Sequence, residues 1–186
     1  MSKPQIFIAK GNSPWYNGYY KTHVVNVDET VPGQATVICD GDITDMCDMF
    51  CDCNSITSLD LSNFDTSNVT IMSGMFAWCS NNLTSINLSN FDTSKVIEMN
   101  NMFDGCSNLI TLDLSNFDTS NVKEMYSMFY YCSNLTTIKG VIDMKSCTDY
   151  SLMFNNCHKL TGVKIKNPPS GFNGAGLYSS QYTIVS

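Results

Sequence analysis

Cysteine is the residue type in this chain most able to do chemistry, and there are nine. Cys47, Cys51 and Cys53 form one C-x-x-x-C-x-C run, whose thiols could act together as soft metal ligands. Cys157 precedes His158, a pairing of nucleophile and base on paper. Aspartates recur at Asp65, Asp92, Asp118 and Asp143, and a file of carboxylates suggests calcium. Each feature has a plainer reading. No fourth metal ligand follows from the spacing, and His23 and His158 stand alone. Asp65, Asp92 and Asp118 precede Thr-Ser, and at such a turn an Asp side chain accepts a following backbone N–H. The glycines and spacing of calcium loops are missing. The plainer readings are preferred: structural thiols, turn-capping aspartates, no metal, no cofactor and no enzyme active site.

The elements that must position these residues follow from a repeat. Met-Phe-x-x-Cys occurs at Met49, Met75, Met102, Met128 and Met153, in steps of 26, 27, 26 and 25 residues. A fixed period of this size signals a solenoid of stacked units. Cys53, Cys79, Cys106, Cys132 and Cys157 therefore form a buried file of small polarizable side chains. Cys147 replaces a core Val and is also expected inside. Cys47 and Cys51 align with Ser73/Asn100 and Ala77/Asp104, so they are expected outside, one turn apart on a first helix.

A second phrase separates the Met-Phe pairs. Leu59 to Val69 recurs as Ile86 to Val96 and Leu112 to Val122, with degenerate copies from Ile138 and Val163. Its first half alternates apolar and polar, as a strand with one buried face does. Its second half places Val69, Met72, Met75, Phe76 and Cys79 on one side of a predicted short helix. A Ser or Thr ahead of that stripe suits a helix N-cap. One strand and one short helix per 25–27 residues predicts an α/β leucine-rich-repeat solenoid of about five units.

The wording Phe-x-x-Cys-x-x-Leu-x-x-Leu-x-Leu resembles the BspA-like leucine-rich repeats of bacterial surface proteins. The phrase Leu-Ser-Asn-Phe-Asp-Thr-Ser-Asn-Val…Met-Phe resembles their mycoplasma-lipoprotein-associated subtype. The resemblance covers residues 37 to 166. It implies a cell-surface or extracellular role in adhesion and carries no catalytic motif. The ninth repeat position holds Phe64, Phe91 and Phe117 in place of the usual Asn or Cys, so no buried Asn ladder is expected there.

Charge narrows the partners. The chain has no arginine and a net charge of −7, which argues against nucleic-acid binding. Residues 1–137 carry −10 and residues 138–186 carry +3, an asymmetry that suits head-to-tail assembly. The opening Met-Ser-Lys-Pro-Gln-Ile-Phe-Ile-Ala-Lys lacks the apolar run of a secretory signal, and no membrane span is predicted. A phage virion component would need no such signal. The expected function is a non-enzymatic interaction or adhesion module for protein or glycan, with a structural virion protein as the alternative. Either could involve a homo-oligomer or larger assembly.

Two surfaces are candidates for that binding. The outward strand positions include Asp60, Asn87, Asp113, Lys139 and Lys164. Trp78 and Tyr131 share a repeat position just before the file cysteine, with Tyr126 and Tyr130 close by. Exposed aromatics are common interface anchors. The ends are read as caps. Residues 1–36 hold predicted strands at Ile6–Ile8 and Val24–Val27 and the aromatic run from Trp15 to Tyr20. Residues 37–166 form the solenoid, with Thr36 to Phe50 as a degenerate first repeat. Residues 167–186 follow the break Asn167-Pro168-Pro169-Ser170-Gly171, and Gln181 to Val185 is predicted as a final strand.

Overall fold

The computed structural model describes residues 5–11, 24–28, 30, 34–39, 43–79 and 82–186. The aromatic run at Trp15–Tyr20 and His23 lie outside them. Among the described residues ten strands follow one another: β1 (Gln5–Gly11), β2 (Val24–Asp28), β3 (Gln34–Cys39), β4 (Ile56–Asp60), β5 (Ser85–Asn87), β6 (Thr111–Asp113), β7 (Thr137–Lys139), β8 (Ile142–Asp143), β9 (Val163–Lys166) and β10 (Tyr182–Val185). They form three sheets, ordered β2-β3-β1-β4-β5, β6-β7 and β10-β9-β8. The N-terminal strands pair antiparallel, with β1 between β3 and β4. From β4 onward pairing is parallel, as successive coils require.

No helix occurs among the described residues, which corrects the expected α/β strand–helix solenoid. The stripe read as helical is a run of overlapping turns. In the first coil Met49, Cys51 and Cys53 donate N–H groups to the carbonyls of Met46, Asp48 and Phe50, three residues back. The alternate residues Met46, Asp48, Phe50 and Asp52 instead donate to Ile71, Ser73, Met75 and Ala77 of the next coil. Half of the backbone donors thus close turns and half join coils, so none is left for bonds to the fourth residue back. Every fourth residue has positive φ: Asp48 and Asp52, then Gly74 and Trp78, Asn101 and Gly105, Ser127 and Tyr131, Leu152 and Asn156. A right-handed helix excludes that geometry. The sequence was misleading because a spiral repeating every four residues buries nearly the same positions as a 3.6-residue helix.

The core justifies the apolar positions. Phe50, Phe76, Phe103, Phe129 and Phe154 stack ring on ring, with centroids 5.6, 5.4, 5.7 and 5.3 Å apart and planes within 13°. The file cysteines lie buried beside them as free thiols. Cys79, Cys106, Cys132 and Cys157 donate S–H to the carbonyls of Phe50, Phe76, Phe103 and Phe129, at 2.9–3.1 Å. Cys147 is buried too.

The predicted helix caps do other work. Thr66 is buried, and its hydroxyl accepts from Asp92 N at 2.8 Å and donates to Asp92 O at 3.0 Å. Thr93 and Thr119 hold Asp118 and Asp143 in the same way. The threonines therefore clamp one coil to the next. The aspartates cap turns: Asp65, Asp92, Asp118 and Asp143 accept from the backbone N–H two residues on, at 2.9–3.0 Å.

Candidate functional site

The outward strand positions form a polar face whose members largely bind one another. Asn87 donates to Asp60 at 3.1 Å. Lys139 pairs with Asp113 at 3.2 Å, both side chains well exposed. Asp60, Asn87 and Asp113 also accept the N–H of Ser62, Ser89 and Ser115. Ser115 and Lys139 hold the Asp113 carboxyl below its ordinary pKa, with Ser115 the larger cause. A shallow cavity of about 310 Å³ lies between Gln34 and the pairs Asp60/Asn87 and Ser58/Ser85. Lys164 is exposed on β9, four coils away from Asp60.

The turn side differs. Trp78 is 47% exposed and Tyr131 48%, each at positive φ, in the second and fourth coils. Gly105 occupies the same position in the coil between them, and the Trp78 indole lies over it. A Cβ at Gly105 would fall 2.8 Å from Trp78 Cε3. Tyr130 packs edge-on against Tyr131 at 5.1 Å. Tyr126 faces the preceding coil, where its hydroxyl accepts from Asn100 Nδ2 at 3.0 Å. Asn100 Oδ1 in turn accepts from Ser73 Oγ at 2.7 Å. Ser73, Asn100 and Tyr126 are successive members of one repeat position, and the sequence reading missed their linkage. Its signal was a column of polar residues that changes from coil to coil.

Ser73 and Asn100 of that column wall a second cavity of about 310 Å³, shared by Cys47, Asp48, Cys51, Trp78 and Asp104. The structure thus brings Trp78 together with two cysteines that sequence placed outside. Cys47 is exposed and Cys51 half-buried, on a turn ladder and not on a helix. Burial and then neighbouring Asp48 push both thiols up to about 11. Cys53 points inward, away from this wall, and is buried. No group of three or more His, Cys, Asp or Glu with metal-binding placement occurs among the described residues.

Asp104 was not singled out by sequence. It is 9% exposed, and its Oδ1 has no hydrogen-bond partner among the described residues. Burial alone raises its carboxyl to about 6. Cys157 Sγ is committed to Phe129 O, and burial raises that thiol to about 12, so it does not serve as a nucleophile for exposed His158.

No described helix is long and apolar enough to cross a membrane. No curated protein and no solved structure matches the chain. Residues 44–167, the stacked coils and little else, match the family described as "Mycoplasma protein of unknown function, DUF285", and since this is more than half of its length the chain belongs to that family.

Proposed function

We propose that this chain is a non-enzymatic interaction module whose partner, a protein or glycan, meets the turn side of the coils. The observation that carries this reading is the pair Trp78 and Tyr131. Each is a large aromatic left nearly half exposed on a backbone pinned by bonds to the coils on either side. Such side chains add contact area at low entropic cost, because the scaffold has already fixed them. The core repeats while this surface does not, which is how a stacked scaffold carries a specific site. The wording shared with BspA-like repeats supports a place at a bacterial surface.

The test is a binding screen of the whole chain against glycans and extracellular-matrix proteins, repeated with W78A/Y131A. At least one ligand should bind, and the double variant should weaken it by about tenfold or more. Equal binding by the variant and the parent would overturn the reading.

A further inference from the structure

Asp104 presents a problem that the fold does not solve by itself. A carboxylate taken out of water normally keeps hydrogen-bond donors or a counter-charge. Asp104 has a buried Oδ1 with no donor, and it lines an open cavity rather than the core. Its equivalents in the other coils are Cys51, Ala77, Tyr130 and Asn155, so the packing of the repeat does not demand an acid there. An unpaired carboxylate at a cavity wall lacks a cation.

The rest of the wall points the same way. The Asp48 carboxylate fills the space over Gly74 on the same cavity. The groups whose charge raises Cys47 and Cys51 are Asp45, Asp48, Asp52, Cys53, Glu98 and Asp104, and of the carboxylates among them Asp48 and Asp104 line the cavity. The Trp78 indole stands beside them, half-exposed, and an indole face is the best aromatic partner for a cation. Asn100 has both amide ends engaged, by Ser73 and Tyr126, so that wall is held in place. Among the described residues no three metal-binding side chains cluster at this cavity, which favours an organic cation over a metal ion. The volume suits an ammonium group with its first few methylenes.

We propose that the cavity between Trp78, Asp48 and Asp104 binds an organic ammonium group, either a free alkylamine or polyamine or a lysine side chain of a partner protein. The ammonium would pair with the Asp104 carboxylate while its methylenes lie along the indole. The proposal rests on the interaction-module reading in taking Trp78 as an anchor, and it adds the chemistry of what is anchored.

The test titrates ¹⁵N-labelled full chain with butylammonium chloride, spermidine and a capped Gly-Lys-Gly peptide, with 1-butanol as the uncharged control. The Trp78 indole N–H and the Gly105 amide should move with the amines and not with butanol. D104N should weaken amine binding about tenfold, while D104E retains part of it. Unmodified protein should lose affinity between about pH 8 and about pH 5 as Asp104, which shares the cavity wall with Asp48, Cys47 and Cys51, takes a proton. Spermidine binding well above the peptide identifies a free polyamine, and the reverse identifies a lysine side chain. Butanol shifts equal to those of butylammonium, undiminished binding by D104N, or no amine binding at all would each overturn the proposal. If W78A loses a ligand found in the screen while D104N keeps it, the cation site fails and the interaction module stands.

Discussion

The Sγ of Cys106 lies 3.1 Å from the carbonyl oxygen of Phe76 in the preceding coil. The same oxygen accepts the turn bond from Cys79 N at 3.4 Å. One carbonyl thus closes its own turn and receives the next coil's thiol. This explains why Phe and Cys recur together at a fixed spacing: the aromatic ring fills the core, and its carbonyl is the acceptor for the sulfur one coil on. Such S–H bonds are weak individually, but they occupy a lone pair that would otherwise be buried without a partner.

The thiols should therefore separate by accessibility. In native protein, Cys47 should be alkylated by iodoacetamide first and Cys51 next, with Cys79, Cys106 and Cys132 protected until unfolding. Burial and nearby aspartates raise Cys47 and Cys51 to about 11. Their rates at neutral pH should fall below that of a free cysteine and climb about tenfold per pH unit towards that value. Peptide mass spectrometry after timed labelling reads this order, and rapid labelling of Cys106 would contradict it.

The threonine clamp should be worth more than its size suggests. Thr93→Val removes the hydroxyl that both donates to Asp118 O and accepts from Asp118 N. Two part-buried backbone groups of Asp118 then lose this partner, at a cost of about 1–2 kcal/mol. Thr93→Ser keeps the hydroxyl and should lose about half that or less. Urea denaturation of the two variants measures the difference.

Two glycines with positive φ should respond differently to alanine. At Gly162 (φ +68°) an added Cβ meets nothing within 4 Å, so only backbone strain applies, about 1 kcal/mol. At Gly140 (φ +102°) the Cβ would fall 2.6 Å from Leu114 O in the neighbouring coil. Backbone held in a parallel ladder cannot yield, and Gly140→Ala should cost well above 2 kcal/mol. Thermal melts of both variants would decide, and equal losses would refute the tight stacking at that corner.

Stability should also depend on pH through Asp104. Burial raises its folded-state carboxyl from 3.8 to about 6, so the folded chain holds the proton more tightly than the unfolded one. Between about pH 4 and about pH 6 this group's contribution to stability therefore decreases as pH rises. Asp92 and Asp118 act oppositely. Bonds from Ser94 and Ser120 lower their carboxyls, and the stability they add is lost as pH falls below the ordinary Asp range. Asp104→Asn should be more stable than the parent at pH 7–8 and should lose the first dependence while keeping the second. Denaturation across pH 3–8 tests both signs.

The Lys139–Asp113 pair should matter little. Both side chains are more than half exposed, and such pairs contribute about 0–1 kcal/mol. Lys139→Ala should leave the melting temperature nearly unchanged, which makes it a suitable control for any binding role of the strand face.

Sequence by itself determined the period and the inward positions. The steps between Met-Phe pairs mark the coil length, and alternation along Leu59 to Leu61 or Leu112 to Leu114 marks the strands that pair in parallel. The aspartate file was legible as turn capping because an Asp side chain reaches its own backbone two residues on, a local event. The conformation of the second half-repeat was decided only in three dimensions. Val69, Met72, Met75, Phe76 and Cys79 fit a helix while each coil is considered alone. A neighbour on each side offers alternate backbone groups a partner across the gap, and the chain takes the turn spiral that uses both. The same dependence hid the Trp78–Asp104 cavity. Its walls come from Asp48, Gly74, Asn100 and Asp104, residues from three coils that meet only because the coils are stacked.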